Sequence, residues 1–275
     1  MQLRPRRLAW LLVPLAAGAG LAIASPAFAS AGQAPTIVAV SSSGTLAYGN
    51  LVNLKALVYP TDGGGTVRFA VDGATIPGCG AVGFGSGGGD TWQAICSTYV
   101  LSQGTHTITA TYSGDTGYAG SSGTMQQTID PSPGYFVGKL LSGANPNLTL
   151  SVEGASTSIN AHIIQSTVDG TGDDIWVFKP VAGGYQIING HSGMCVTTTY
   201  TAGADLIQLP CVGVPNQTWL MPGSFTSGGY RFIWDANTNM YFDVYGGSTA
   251  AGAHIDSFPY NGWYPNQLFL PVPAA

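Results

Sequence analysis

The C-terminal half of this chain repeats itself three times, and few folds accept a repeat of this length. Tyr135, Tyr185 and Tyr230 each open a unit with an aromatic and aliphatic strand, YFVGKLL, YQIINGH and YRFIWDA. Each unit closes on a related triplet ahead of a short apolar strand: Asp174-Ile175-Trp176, Gln217-Thr218-Trp219 and Gln267-Leu268-Phe269. The closing aromatics fall 43 and 50 residues apart, a period at which each repeat is one supersecondary unit that needs its neighbours to bury its apolar face. The middles of the units match as well. Gly246 to Gly262 (GGSTAAGAHIDSFPYNG) echoes Thr201 to Cys211 (TAGADLIQLPC) and, more faintly, Ala155 to Gln165 (ASTSINAHIIQ). Three units of four short strands predict a closed threefold barrel, with Trp176, Trp219 and Phe269 in its core.

The first half alternates differently. Asn50 to Tyr59 (NLVNLKALVY), Gly65 to Val71 (GTVRFAV, closed by Asp72-Gly73) and Gly104 to Tyr112 (GTHTITATY) read as half-buried strands. In the last of these Ile108 and Ala110 face away from Thr107, Thr109 and Thr111. Short strands between Gly-rich turns predict an antiparallel sandwich. The stretch GTHTITATYSGDTGYAGSSGT over 104–124, preceded by a strand ending in Tyr59-Pro60, resembles the bacterial Ig-like repeat over roughly residues 35–130. That resemblance implies a spacer or adhesion module with no catalytic residues. His106 is expected at the surface or a sheet edge, and Trp92 and Tyr99 in the core. The expected layout is a leader over 1–29, an Ig-like sandwich over 30–131 and a threefold domain over 135–275, joined by the short linker Asp130-Pro-Ser-Pro-Gly134.

The repeat units in turn resemble the ricin B-type lectin family, a β-trefoil whose units each end in Gln-x-Trp, over about 135–272. The resemblance implies a shallow sugar pocket on each unit. An Asp after the second strand accepts hydrogen bonds from sugar hydroxyls, an aromatic stacks on the ring, and an Asn beside the Gln completes the polar set. A carboxylate supplies charge-assisted acceptors and an aromatic face covers the apolar face of a pyranose. In the third unit the matching residues are Asp243, Phe258 or the nearby Tyr260, Asn266 and Gln267. The second unit has Thr197 for the Asp and Leu209 for the aromatic, with Asn216 and Gln217 retained. The first has Ser151, Ser166 and the pair Asp173-Asp174. Only the third set is complete. Asp243 has the alternative of a turn-stabilising carboxylate; His162 and His254 read as hairpin residues and His191 as a surface turn residue.

Arg4, Arg6 and Arg7, the apolar run Leu8 to Ala24 and the Ala27-Phe28-Ala29 site read as an export signal cleaved after Ala29. Removing it leaves five basic residues against thirteen acidic ones. Charged residues make up only 8% of the chain against about 25% in typical soluble domains, while aromatics reach 11%. There is no basic stripe to follow a nucleic acid, and no later apolar stretch long enough to span a bilayer. Four cysteines in an exported chain imply disulfides, and of three possible connectivities the local pairs Cys79–Cys96 and Cys195–Cys211 are the economical choice. No CxxC or closely spaced histidine pair points to a metal, and no cofactor is expected. No GxSxG, HExxH or P-loop pattern occurs.

These features together predict a secreted, non-catalytic carbohydrate-binding protein. The alternatives are an adhesive surface protein that binds another protein, and an accessory module of glycan degradation with hydrolase activity of its own. The secreted chain is expected to begin near Ser30, which N-terminal sequencing of culture supernatant checks; a secreted form that retains Met1 to Ala24 contradicts it.

Overall fold

In the computed structural model the described residues are 33–86, 92–223, 225, 228–262 and 264–274. The expected leader and its cleavage site lie outside them, as does the end of the Gly-rich run after Ser86. Apart from short 3-10 turns the described chain is all-β, and no helix in it is long and apolar enough to cross a membrane.

The first half lays down β1 (Ile37–Gly44), β2 (Val52–Tyr59), β3 (Val67–Val71), β4 (Ala74–Thr75), β5 (Gly85–Ser86), β6 (Trp92–Thr98), β7 (Gly104–Tyr112) and β8 (Ser121–Ile129). They form two four-stranded sheets, ordered β1-β2-β6-β5 and β4-β3-β7-β8. Alternation carries the packing: Val52, Leu54, Ala56 and Val58 of β2 face Phe69, Ile108, Ala110 and Met125 from the opposite sheet, as two-sided strands in a sandwich require. Cys79 and Cys96 are bonded, 5.7 Å apart at Cα. The bridge does more than tie a hairpin. Cys79 hangs from β3 through the Phe69 N–H bond to its carbonyl, at 3.0 Å, whereas Cys96 lies on β6 in the other sheet, so the disulfide staples sheet to sheet through the core.

His106 is a correction. It is 9% exposed, because it shares the inward parity of Ile108, Ala110 and Tyr112 on β7. Its Nδ1 lies 2.7 Å from Asp72 Oδ2 and its Nε2 2.9 Å from the Ser102 carbonyl, while Asp72 Oδ1 accepts the Thr107 N–H at 2.8 Å. Trp92 lies half-buried against the backbone of Gly63, where an added Cβ would come within 2.8 Å of the indole.

The second half contributes β9 (Phe136–Ser142), β10 (Thr149–Val152), β11 (Ile163–Ser166), β12 (Trp176–Val181), β13 (Gly184–Asn189), β14 (Cys195–Thr197), β15 (Ala204–Asp205), β16 (Ile207–Leu209), β17 (Trp219–Leu220), β18 (Trp234–Asp235), β19 (Met240–Val244), β20 (Ile255–Pro259) and β21 (Phe269–Pro273). β21, β9, β12, β13, β17 and β18 pair in succession, and the Arg231–Phe269 bridge closes the ring. The hairpins β10–β11, β14–β16 and β19–β20 cap it, one per unit. This is the closed threefold barrel that the repeats predict, in the β-trefoil form that the resemblance implies.

Trp176, Trp219 and Phe269 are all but fully buried on the axis. The two indoles also brace their own units, Trp176 Nε1 donating to Leu150 O and Trp219 Nε1 to Val196 O, both at 3.0 Å. Cys195–Cys211 closes as expected and binds β14 to the loop after β16. The sandwich and the trefoil meet through Tyr48, Tyr99 and Val100 on one side and Val137, Ile175, Val177 and Ile188 on the other. Tyr48 Oη accepts the Val137 N–H at 3.0 Å, so Tyr99 belongs to this seam rather than to the sandwich core.

Burial disfavours the His106 cation, but the bonds to Asp72 and the Ser102 carbonyl outweigh it and its pKa is raised; Asp72 is lowered chiefly by its bond to His106. A raised histidine contributes stability in full below its unfolded value of about 6.5 and loses it as pH rises through the folded value; a lowered carboxylate loses its share on acidification. The urea midpoint is therefore expected to fall as pH is raised through neutrality, and His106→Gln to reduce that slope, the remainder coming from Asp256, whose raised pKa acts in the same direction. An unchanged slope in the variant contradicts the assignment.

Candidate functional site

The β19–β20 hairpin places Asp243 directly opposite Asp256 and Tyr241 opposite Phe258. Directly opposed residues in antiparallel strands share a face, so the two carboxylates lie side by side. Asp243 is 5% and Asp256 3% exposed. A buried carboxylate needs hydrogen-bond donors, and the turn Pro265–Gln267 supplies one. Asn266 Nδ2 reaches both Asp243 oxygens at 2.8 Å, and Asn261 Nδ2 reaches Oδ2 at 3.0 Å. The acid is thereby held in one rotamer at the floor of an open cleft of about 500 Å³. Phe258, Tyr245 and Tyr264 border that cleft and are strongly exposed, at 42%, 63% and 62%. Gly246 and Gly247, both at positive φ (62° and 65°), carry the chain past the opening without side chains to fill it.

Burial raises the pKa of Asp243 even against the Asn266 bond. Asp256 is pushed up to about 7, by burial first and then by the neighbouring charges of Asp243 and Asp205. Its Oδ1 is buried without a hydrogen-bond partner. Such a cleft offers oriented acceptors, amide donors and an apolar aromatic rim, the mix that recognises a small polyhydroxylated ligand.

Residues 134–208 and 174–258 match the family model described as ricin-type β-trefoil lectin domain-like, and residues 37–130 the model of the bacterial Ig-like domain, group 3. The chain joins a bacterial Ig-like domain to a ricin-type β-trefoil lectin-like domain. No curated protein matches it. Among solved structures it is similar to the designed threefold-symmetric protein ThreeFoil, at 28% identity over 50% of this chain and 98% of that one, with a TM-score of 0.46. The C-half of the earthworm R-type lectin, solved in complex with GalNAc, matches at 18% identity over 50% of this chain and 98% of its own, TM-score 0.40. An exo-β-1,3-galactanase from Clostridium thermocellum matches at 19% identity over 87% of this chain and 55% of the enzyme, TM-score 0.47.

Within the lectin-like domain the third unit brings Asp243, Asn266 and Phe258 to one cleft. Two expected contacts are corrected. Gln267 is fully buried; its Nε2 donates to Pro259 O at 2.9 Å and its Oε1 accepts the Asn261 N–H at 3.1 Å. It therefore braces the loop that presents Asn261 and Asn266 instead of facing a ligand. Gln217 does the same in the second unit, bonding Pro210 O at 2.9 Å and the Val212 N–H at 3.1 Å. Tyr260 lies past the end of β20, where its ring packs against Phe232 and Tyr241 at 5.6 Å each; of the two expected rings, Phe258 borders the cleft. Asn261, Asp256 and Tyr264 were not singled out from the sequence. Asp256 carried a readable signal, since the aligned positions in the other units are the apolar Ile164 and Ile207.

The other units close their equivalent positions. Thr197 Oγ1 donates to the Cys195 carbonyl at 3.0 Å and accepts from Gln217 at 3.1 Å. Ser151 donates to Asp173 at 2.6 Å, and Thr171 bonds the same carboxylate. The loop of the first unit is also engaged by the sandwich, through the Gly78 N–H bond to Gly170 O at 3.0 Å.

Gln267→Ala removes the two hydrogen bonds that its buried amide makes to the Asn261 N–H and the Pro259 carbonyl, at about 0.5–1.5 kcal/mol each, so it is expected to lower unfolding free energy by about 1–3 kcal/mol in urea denaturation, and Gln217→Ala by a similar amount. A neutral Gln267→Ala would restore a ligand-facing role.

Proposed function

We propose that this protein is secreted and binds carbohydrate without catalysis, through the third unit of its trefoil, with the Ig-like domain as a spacer. The observation that carries the reading is the Asp243 carboxylate gripped on both oxygens by Asn266 at the floor of an open cleft, beside the exposed ring of Phe258. The bonds from Asn266 and Asn261 orient Asp243 toward vicinal hydroxyls, and Phe258 covers the apolar face of the sugar. Ser151 and Thr197, occupied within their own units, leave the first and second units without an acceptor of that kind.

An open cleft with few polar contacts fits weak monosaccharide binding, Kd on the order of 0.1–1 mM, or about 4–5.5 kcal/mol. Losing a hydrogen bond to a charged acceptor costs about 1.5–3 kcal/mol, so Asp243→Ala is expected to abolish detectable binding to glycans selected on an array. Phe258→Ala, at an exposed position, is expected to weaken binding with no loss of fold, and Thr197→Ala to leave it unchanged. Equal binding by wild type, Asp243→Ala and Phe258→Ala overturns the site; no glycan binding at all favours the adhesive reading.

The adjacent carboxylates Asp243 and Asp256 favour one second reading, a glycoside hydrolase, because that chemistry uses a carboxyl pair with one member protonated near neutral pH. Release of new reducing ends from the bound polysaccharide, lost in Asp256→Asn, would replace the non-catalytic reading.

A further inference from the structure

The three units share one more position, and it converges on the pseudo-threefold axis. Each return arm of the cap begins with alanine followed by a polar residue and an aliphatic one: Ala161-His162-Ile163, Ala204-Asp205-Leu206 and Ala253-His254-Ile255. The arms are laced together by backbone bonds, Ile163 N to Leu206 O at 2.9 Å and Leu206 N to Ile255 O at 2.8 Å. One donor atom from each of His162, Asp205 and His254 falls within 4.8 Å of the others. Asp205 Oδ2 is 2.8 Å from His254 Nδ1 and 3.3 Å from His162 Nδ1, and the two imidazoles stack at 4.7 Å with 24° between their planes.

From this geometry we infer that His162, Asp205 and His254 form a binding site for a divalent transition metal of the zinc class.

Two imidazole nitrogens face one carboxylate oxygen, but only that of His254 makes a hydrogen bond. His162 Nδ1 is buried and makes no hydrogen bond; the acceptor nearest it, Asp205 Oδ2 at 3.3 Å, is taken by His254. A cation held between the three donors satisfies all of them. Ligands about 2.0–2.1 Å from a tetrahedral zinc stand roughly 3.3–3.5 Å from one another; the His162–Asp205 separation meets this, and the His254–Asp205 pair needs to open by about half an ångström. Calcium and magnesium call for six or more oxygens, and the cluster offers one carboxylate and two nitrogens, a set suited to zinc, copper or nickel. The fourth position is open, because a cleft of about 550 Å³ bounded by Gly203, Ser248, Gly252 and Tyr245 runs past Asp205 and His254. The side chains are about one-third exposed, at 38%, 32% and 35% in chain order, so a metal has a way in. The inference does not rest on the carbohydrate reading.

The test is titration of the chelator-stripped full chain with Zn²⁺ by calorimetry, with Co²⁺ as a spectroscopic probe. Saturable uptake of one Zn²⁺ per chain is expected, with a rise in Tm and visible Co²⁺ bands of a low-coordinate site. His162→Gln and His254→Gln are each expected to weaken uptake by more than about tenfold, whereas His106→Gln and His191→Gln retain it. Should a variant misfold, ¹⁵N spectra of the wild-type imidazoles decide: zinc must shift His162 and His254 and leave His106 and His191 in place. Absence of saturable uptake, or uptake that survives both variants or moves the other histidines, overturns the site and leaves a His254–Asp205 ion pair.

Discussion

Three aromatic side chains on one axis hold the second half of this protein in shape. Trp176, Trp219 and Phe269 have essentially no solvent exposure, and full burial of a large apolar side chain contributes about 1.5–3 kcal/mol. Their arrangement matters as much as their area. Each indole N–H ends on the carbonyl of its own unit's cap strand, Leu150 or Val196, so core packing and hairpin position are set by the same residue. At its closing position the third unit has Phe269 in place of an indole, and it substitutes the edge-on contact of Phe242 with Phe269 at 6.1 Å. Gln165 and Gln208 add the lateral connection: each sends its amide to two carbonyls of an adjoining unit, Ser248 and Ala250 for one, Ser156 and Ser158 for the other.

With the backbone so constrained, the units differ in what they present. The same place on the first strand of each cap hairpin holds Ser151, Thr197 or Asp243. The short hydroxyls are taken up by neighbours of the same unit, but the carboxylate is offered by Asn266 and Asn261 to an open cleft. At Ser257, where the other units carry Gln165 and Gln208, the third unit has a side chain too short to make the same connection; it meets Thr198 Oγ1 at 3.2 Å instead. Beside it, Asp256 places a buried acid where the other units have isoleucine. The third unit has thus given up core-like residues on one face and gained polar ones, the pattern expected where local packing yields to a binding surface.

The Ig-like domain is organised on the opposite principle. Its core is one cluster shared by both sheets, and its disulfide joins them. It docks on the trefoil through Tyr48, Tyr99 and Gly78, against Val137, Gly170 and Ile175 of the first unit and Ile188 of the second.

Much of this was legible in the sequence because it is local. Alternation with period two marks the strands of the sandwich, the spacing of Trp176, Trp219 and Phe269 marks three units, and close spacing in the chain suffices to pair Cys79 with Cys96 and Cys195 with Cys211. The same alternation, carried one step back from Ile108, would have put His106 inside. Other features depend on which groups meet after the chain closes. Gln267 reads as a sugar contact in a motif, but the loop folds over it and turns both ends of its amide to backbone. His162, Asp205 and His254 hold equivalent places in the three units along the chain, but they become neighbours only because threefold closure brings those places together. Strands, repeats and bridges follow from residues close together in the chain and can be read from it; which polar side chains face solvent, which are consumed in bracing the fold, and which three converge from separate units depend on long-range closure and emerge only once the chain has folded.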